Sequence, residues 1–425
     1  MHILAEKARG SGGRGRFLIP SRTEDSSAID LPYTNPRFRA VAEIYRKWLP
    51  RSDRGLLEFI LGSIAANHYD ADPVWLMCVG GPGSGKTELI RALGKVDSVH
   101  EVSTITESAL LSGVAKRDRT KGSTGGLLRE IGSDLGFILL KDFGSLLSMN
   151  REGRGQVLAA MREVYDGAWT RRVGADGGIK LSWRGKVSFI CGATGAVDLH
   201  HVAMASLGER FVYYRLKSDR ADRPNQGDSA LDHIGHTAGM RKELSDAIAE
   251  LFDPLPELPK IQDFLIGRRR EQIIALANLS SMARSAVERD NFTHDIVLVQ
   301  DPESPTRMAT ALGLLLGGMV AIGVPEGEAW NVVRKVALDS VPPIRKAALC
   351  VLLGTAGCMD LSTIGMQARL GCSPTTLRRA LEDLEAHRLL CRQHGEKSKS
   401  LWSVTEWTRQ LHQKAGFEKR GMNDY

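Results

Sequence analysis

A glycine-rich loop between an apolar strand and a helix constrains this chain more than any other feature. Gly80-Gly-Pro-Gly-Ser-Gly-Lys86-Thr87 fits GxxxxGK[ST] at every fixed position. The apolar run 74–79 leads into it, and a helix over 88–93 leaves it. Glycines let successive backbone N–H groups turn inward around a phosphate, and the helix N-terminus adds its positive end. The expected ATP-binding set is Gly81, Pro82, Gly83, Ser84, Gly85, Lys86, Thr87 and Glu88. Lys86 is expected to reach the β- and γ-phosphates, and the Thr87 hydroxyl to hold Mg²⁺. The alternative, a chance glycine-rich turn, leaves the order of strand, motif and helix unexplained.

Such a loop needs a carboxylate for the metal at the end of a neighbouring strand. The apolar run 136–140 leads through Lys141 to Asp142, the second expected Mg²⁺ ligand; a surface-turn aspartate is the alternative. Phe143 follows, where many such ATPases place a glutamate that activates water. Hydrolysis is then slow, or Glu130 or Glu163 serves instead; the sequence leaves both open. Strand candidates at 74–79, 99–102, 137–141, 187–190 and 211–216 alternate with helical stretches, which predicts an α/β fold with a parallel sheet.

At 425 residues the chain exceeds one ordinary core. With 42% hydrophobic and 25% charged residues, it is neither disordered, collagen-like nor a disulfide mini-protein. The apolar stretch 311–324 is broken by glycines and is shorter than the ~20 residues that cross a bilayer. No basic-then-apolar leader opens the chain, and the six cysteines lack CxxC or metal-ligand spacing, so a cytoplasmic protein without a membrane partner is expected. Residues 1–50 hold nine Lys/Arg against five Asp/Glu, and residues 342–425 hold thirteen against eight. Basic ends around a slightly acidic middle fit contact with a polyanion, or chance at this size.

Residues 1–36 are Gly/Arg/Ser-rich and read as a mobile tail, followed by helices over 36–49 and 53–68, the second with Leu56, Leu57, Ile60, Leu61 and Ile64 on one face. After 216 a polar stretch with Pro224 and Asn225 precedes a wholly helical region, 239–338. The expected divisions are 1–50 (tail and lead-in helix), 51–218 (ATPase core), 219–341 (helical lid), 342–410 (winged helix-turn-helix) and 411–425 (tail).

Three further segments carry a resemblance. Residues 157–174 read as a helix running into a strand, followed by a turn at Ala175-Asp-Gly-Gly178 and a return strand over 179–183, before Val187-Ser-Phe-Ile-Cys-Gly-Ala-Thr194. This resembles AAA+ ATPases with a β-hairpin inserted before the sensor-1 strand, such as the sigma-54 activators and minichromosome-maintenance helicases. The resemblance spans roughly residues 55–340. It implies that Thr194 senses the γ-phosphate. In Leu207-Gly-Glu-Arg210-Phe211, Arg210 looks like the arginine finger that enters a neighbouring subunit's site. In Pro302-Glu-Ser-Pro-Thr-Arg307, Arg307 resembles the sensor-2 arginine of the lid. Surface salt bridges are the alternative for both. A homo-oligomeric ring, a hexamer in the family pattern, follows from a finger acting in trans. The chain departs from the pattern: the loop 112–126 has no GAFTGA but carries Lys116-Arg-Asp-Arg-Thr-Lys121, which argues against sigma-54 contact. The hairpin tip lacks lysine, although Arg171, Arg172 and Lys180 lie on its arms. Both basic loops could line a pore, or be merely solvated.

Residues 344–405 have the layout of a winged helix. A first helix, 344–353, carries apolar residues at 344, 347, 348 and 351, and a second covers 361–370. Ser373-Pro374 supplies an N-cap and a first-turn proline for a third, 375–389, that buries Leu377, Leu381, Leu384 and Leu389. A hairpin with the basic tip Gly395-Glu-Lys-Ser-Lys399 follows. Thr375, Thr376, Arg378, Arg379, Lys397 and Lys399 are the expected DNA contacts, because a recognition helix offers its N-terminal residues to bases and a basic wing holds phosphates. Protein contact is the alternative use of this layout. His387 and His394 read as solvated, and Trp402 and Trp407 as packing residues. The leading expectation is an ATP-driven DNA-processing machine, a replication initiator or helicase of a phage or mobile element. The others are a transcriptional regulator with ATP as a slow assembly switch, and a protein remodeller or defence ATPase.

Overall fold

In the computed structural model the described residues are 32–50, 52–112, 126–173, 179–205, 207–217, 223–290, 292–354, 361–394 and 400–417. The N-terminal tail, the loop with Lys116–Lys121, the hairpin tip at 175–178 and the wing tip with Lys397 and Lys399 lie outside them.

Helices α1 (Pro36–Trp48) and α2 (Arg54–Asn67) lead to strand β1 (Trp75–Val79), whose five residues are all buried. Helix α3 (Lys86–Ala92), strand β2 (Val99–Val102) and the short helices α4 (Glu107–Leu110) and α5 (Leu127–Ile131) follow. Strand β3 (Leu135–Leu140), helix α6 (Gly144–Leu147) and helix α7 (Arg151–Tyr165) lead to the antiparallel hairpin β4 (Ala168–Val173) and β5 (Ile179–Arg184). Strand β6 (Lys186–Ala193), helix α8 (His201–Ala205) and strand β7 (Phe211–Arg215) complete this part. Five of these strands form one sheet in the order β2-β3-β6-β1-β7, and every pairing is parallel. The fold is therefore α/β with a parallel sheet, at the expected strand positions. Parallel strands are buried on both faces, which is why β1, β3 and β6 read as continuous apolar runs.

Downstream come α9 (Arg223–Asp232), α10 (Thr237–Phe252), α11 (Ile261–Phe264), α12 (Gly267–Arg284), the antiparallel ribbon β8 (Val287–Arg289) and β9 (Ile296–Val299), α13 (Thr306–Ala321) and α14 (Glu326–Asp339). The wholly helical reading of 239–338 is corrected by that ribbon. Asp290 accepts the N–H groups of Phe292 and Thr293, a turn-forming bond that ends β8, and the β-branched Ile296, Val297 and Val299 favour an extended return. Likewise the polar stretch with Pro224 is the start of α9, with proline in its first turn.

The helices after residue 218 pack directly on the sheet and its covering helices, so Tyr33–Tyr425 form one compact unit. Helix α13 lies against α2, and a Cβ on Gly318 would sit 2.1 Å from the Gly62 carbonyl oxygen and 2.6 Å from the Ala66 nitrogen. The glycines of the apolar stretch thus permit backbone-to-backbone contact. Because α13 covers its second side, α2 is buried nearly all round, Phe59 included, rather than on one face. Helix α14 closes the sheet at β7: Ser340 Oγ accepts the Tyr213 N–H (3.1 Å) and Asp339 Oδ2 accepts the Arg215 N–H (2.7 Å). These are the outward donors of an edge strand, which would otherwise offer itself for pairing.

The chain ends in α15 (Pro343–Gly354), β10 (Leu361–Ser362), α16 (Thr363–Leu370), α17 (Pro374–Ala386), β11 (Leu390–His394), β12 (Ser400–Val404) and α18 (Glu406–Lys414). The last three strands form a sheet of order β10-β12-β11. Ser373 caps α17 through the Thr376 N–H, and Leu377, Leu381, Leu384 and Leu389 are buried as expected. Helix α15 is turned by about one residue from the expected face: Arg345, Ala348, Leu349 and Leu352 face inward, because Arg345 bonds Asp383 of α17 (2.9 Å). Helix α18 packs on α12 and crosses the expected 410/411 boundary. No helix among the described residues is long and apolar enough to cross a membrane.

Gly318→Ala tests the α2–α13 contact. In an exposed helix this change gains ~1 kcal/mol. Here it is expected to cost about 1–3 kcal/mol, as overpacking does, read as a lower urea midpoint by circular dichroism.

Candidate functional site

The glycine-rich loop turns out of β1 at the C-terminal edge of the sheet. Gly83 (φ 78°) and Gly85 (φ 80°) hold left-handed conformations that only glycine adopts at low cost, and Gly85 caps α3. A Cβ on Gly81 or Gly83 would meet nothing within 4 Å, so these glycines present bare backbone outward. Lys86 is buried, and its Nζ donates to the carbonyls of Gly80 (2.9 Å) and Gly81 (3.0 Å). Burial lowers its pKa, while Cys78 and the charge of Asp142 act the other way. Ser84 Oγ is buried in this loop without a hydrogen-bond partner among the described residues. An unpartnered hydroxyl beside open glycine backbone and an inward lysine fits an anion with several oxygens.

Because the strands are parallel, Asp142 and Thr194 emerge at the same edge as the loop. Val79 is in register with Ala193, and Gly80 N–H bonds the Ala193 carbonyl (3.1 Å). Leu140 pairs with Cys191, and Phe143 N–H bonds the Gly192 carbonyl (2.7 Å). The strand bearing Asp142 is not the immediate neighbour of β1; β6, bearing Thr194, lies between them. Asp142 and Thr194 are both exposed, and Asp142 Oδ1 accepts the Gly144 N–H (2.9 Å). Phe143 points the other way: it is fully buried, edge-on to Phe211 at 5.5 Å. Glu130 pairs with His100 (3.4 Å), and Glu163 is exposed on α7. Among the described residues no three His, Cys, Asp or Glu side chains converge on a metal position. Thr87 and Asp142 remain the candidate Mg²⁺ ligands, a number that suffices for an ion completed by phosphate and water.

A cavity of ≈ 360 Å³ adjoins the loop, lined by Gly83, Ser84, Trp48, His233, Ile234 and Met240 among others. Trp48 is fixed there by its Nε1–H bond to Glu243 (2.6 Å) and lies 5.3 Å from the His233 ring. Glu88 turns from the loop to Arg241 of α10 (2.7 Å), whose hydrogen bond lowers its pKa. Helix α10 is thus pinned to α3. Trp48, His233 and Arg241 were not among the sequence candidates. A first-turn proline at 224 was the available sign that the polar stretch forms a wall.

Arg210 and Arg307 lie elsewhere. A five-residue strand spans about 13 Å, and both arginines sit beyond the N-terminal ends of the strands, opposite the loop. Arg307 Nη1 donates to the Gly208 carbonyl (3.0 Å), three residues before β7 begins. That position corrects the sensor-2 expectation, since Arg307 cannot reach the loop of its own chain. Arg210 is bonded to Asp166 (3.0 and 3.2 Å) and to the Leu207 carbonyl, with Tyr165 under its guanidinium at 5.0 Å. Its side chain is only 6% exposed. A finger role in a neighbouring subunit therefore requires it to leave Asp166. On the hairpin, Arg171 is held by Glu107 (3.0 Å) and the Leu111 carbonyl (3.2 Å), whereas Arg172 and Lys180 are exposed.

In the C-terminal part, Thr375, Thr376 and Arg378 at the start of α17 are exposed, and Arg379 is half-buried. The other end of α17 is docked: Arg289 of β8 bonds Asp383 (2.6 Å) and Glu382 (3.1 Å). His387 is buried rather than solvated, 3.1 Å from the Ser285 carbonyl, and burial lowers its pKa. The side chain of His394 lies outside the described residues. Trp402 is buried, whereas Trp407 is 41% exposed and so departs from the packing role.

No protein-family model matches the chain, and no curated protein matches its sequence.

The buried charges beyond the N-terminal strand ends yield a pH test. Arg284, 1% exposed, bonds Glu303 (2.6 Å) and the Glu209 carbonyl (2.7 Å). Burial pushes the Glu209 carboxyl up to about 7 against the pull of Arg284, and burial with nearby Arg345 lowers His201 to about 4. Folded Glu209 keeps its proton longer than the unfolded chain does, so its contribution to stability falls as pH rises towards 7. Folded His201 sheds its proton earlier, so its contribution rises over roughly pH 4 to 6.5. The two oppose each other. Glu209→Gln is expected to uncover the histidine, so that the unfolding free energy from urea titrations rises more steeply between about pH 5 and 6.5, by on the order of 1–2 kcal/mol. Parallel wild-type and variant curves would show that Glu209 does not titrate there.

Proposed function

We propose that this chain is an ATP-hydrolysing protein of the AAA+ type that acts on DNA, with a C-terminal winged helix-turn-helix to find it. The observation that carries the reading is the convergence at one sheet edge of the glycine loop, the inward Lys86, and the strand-end residues Asp142 and Thr194. Lys86 and the loop N–H groups hold phosphate oxygens, Thr87 and Asp142 hold Mg²⁺, and Thr194 on the intervening strand contacts the terminal phosphate. Bound Mg²⁺ supplies charge neutralisation for phosphoryl transfer. The cavity beside the loop takes the base, with Trp48 as its aromatic wall and α10, tied to α3 through Glu88–Arg241, as its lid.

The DNA reading rests on α15, α16, α17 and the β10-β12-β11 sheet, whose order fits a winged helix, and on exposed Thr375, Thr376 and Arg378 at the start of the third helix. A replication initiator or helicase-like motor of a phage or mobile element, working as an oligomer, is the leading form of this proposal. Phe143 favours a second form. Its side chain belongs to the core, so no base follows Asp142, and a regulator that uses ATP as a slow assembly switch on DNA accounts for that.

ATP turnover with and without single- and double-stranded DNA, with Lys86→Ala as the blank, separates them. A motor gives turnover that rises severalfold with DNA and is lost in the variant. Turnover at the level of Lys86→Ala, despite measurable ATP binding, would sink the motor and leave the switch.

Trp48→Ala probes the base cavity. Stacking of a base on an aromatic ring is worth ~1–3 kcal/mol, so ATP affinity by calorimetry is expected to fall roughly tenfold while inorganic triphosphate binds as before. Equal losses for both ligands would place the base elsewhere.

A further inference from the structure

Another cavity, of ≈ 690 Å³, lies between the segment that joins α10 to α12, the helices α12 and α13, and residues 68–71. Its floor is apolar: Pro259, Ile261, Leu265, Ile273, Gly313 and Leu314 line it, and Ile273 and Leu314 are buried. The joining segment rests on glycines of α13. A Cβ on Gly313 would sit 2.8 Å from Leu265 Cδ1, and one on Gly317 would sit 2.8 Å from Phe264 Cζ. The segment is also tied at two points, where Tyr69 Oη–H donates to the Pro259 carbonyl (2.7 Å) and Arg37 to the Pro254 carbonyl (3.0 Å). Pro254, Pro256 and Pro259 fix φ along it, so little freedom is lost when a ligand settles against it.

The rim differs from the floor. Lys260 and Arg270 are exposed there, and among the described residues neither side chain has a hydrogen bond or an ion pair. The neighbouring Arg269, by contrast, bonds Glu326 (2.9 Å) and lies over the Trp330 ring at 4.3 Å. Asp70 is the one acid lining the cavity. Burial pushes the Lys186 ammonium down to about 8, and Asp70 and Asp72 act against it, so the charge of Asp70 is answered from outside the cavity. Partial burial and nearby Lys186 lower the pKa of His68, which leaves that ring neutral at pH 7.

We infer that this cavity binds a small amphipathic anion, an apolar chain or ring bearing a carboxylate, with its body on the apolar floor and its carboxylate at Lys260 and Arg270. Charge selects this occupant. An apolar cation would meet two unpaired cations, and a neutral apolar molecule would leave both unused. A guanidinium takes a carboxylate through two parallel hydrogen bonds, which fixes the head of the ligand. The volume falls within the roughly 300–1,000 Å³ of sites for single small molecules, so the occupant is one free molecule. Residues 68–71 precede β1, whereas the glycine loop follows it, so this site stands apart from the ATP reading.

Fluorescence titration of the full-length protein without nucleotide, with dansyl-undecanoate as the probe, tests it. Saturable binding is expected, with displacement by decanoate at least tenfold better than by decanol and none by decylamine. Arg270→Glu and Lys260→Glu, both at exposed positions, are each expected to weaken probe binding at least tenfold with an unchanged urea midpoint. On irradiation, a diazirine-bearing undecanoate is expected to label residues 258–274 or 309–314, read by mass spectrometry of the digest. Lys86→Ala is expected to bind the probe like wild type, which separates this site from the nucleotide loop. No saturable binding, decanol as effective as decanoate, both variants binding like wild type, label elsewhere in the chain, or binding to phosphatidylglycerol vesicles without binding of the free acid would each overturn the inference.

Discussion

The backbone contact between α2 and α13 is the constraint on which the rest of the molecule depends. A parallel sheet exposes apolar side chains on both faces and needs a cover on each. Here α2 is one such cover, and it is buried nearly all round because it is covered in turn. Gly62 and Gly318 let the two helices approach until backbone meets backbone, and α13 thereby becomes part of the core. Helix α14 follows from the same placement and reaches β7, where Asp339 and Ser340 complete the hydrogen bonding of the edge. Asp339 is almost fully buried and also bonds Lys335 and Lys346 (2.6 Å), so its charge is compensated from two helices.

The two ends of the sheet do different work. At the C-terminal ends lie the open elements: glycines with no neighbour beyond them, exposed Asp142 and Thr194, and a cavity walled by Trp48. At the other end, the buried Arg210, Arg284 and Arg345 are tied by hydrogen bonds to backbone carbonyls and to the carboxylates of Asp166, Glu303 and Asp383. Arg345 alone bonds the carbonyls of Ala283 and Ser285 and the carboxylate of Asp383. Such buried pairs add little net stability over apolar packing, but breaking one partner leaves a stranded charge. They therefore fix how the C-terminal helices are oriented on the sheet more than how firmly.

Much of this was legible in the residues, because the phosphate loop, the five parallel strands and the hairpin each carry a local signal: glycine spacing, unbroken apolar runs, tryptophans alternating with polar residues. Ser373 and Pro374 announced α17 equally well. What could not be read depends on partners distant in the chain. Arg345 faces inward only because Asp383 is there, so the apolar pattern of α15 pointed one residue away. Arg307 follows a proline-rich turn that resembles a lid motif, yet its place is set by where α13 meets α2. His387 read as solvated and is buried against the Ser285 carbonyl. Trp48 gave no signal because its role depends on α9 and α10 folding back beside the loop.

The direction taken by Phe143 has a consequence for how this molecule could change over evolutionary time. Many P-loop ATPases, whose loop this one resembles, place after the strand-end aspartate a glutamate that activates water. Here the backbone after β3 bends so that the side chain of Phe143 enters an aromatic core beside Phe211. A carboxylate introduced there would be stripped of water among phenyl rings, at a cost of several kcal/mol, long before it met any attacking water. Position 143 is therefore closed to a carboxylate by single substitution. On the ATPase reading proposed above, faster hydrolysis would need a new trajectory for the segment leading into α6, or a carboxylate delivered from another part of the chain.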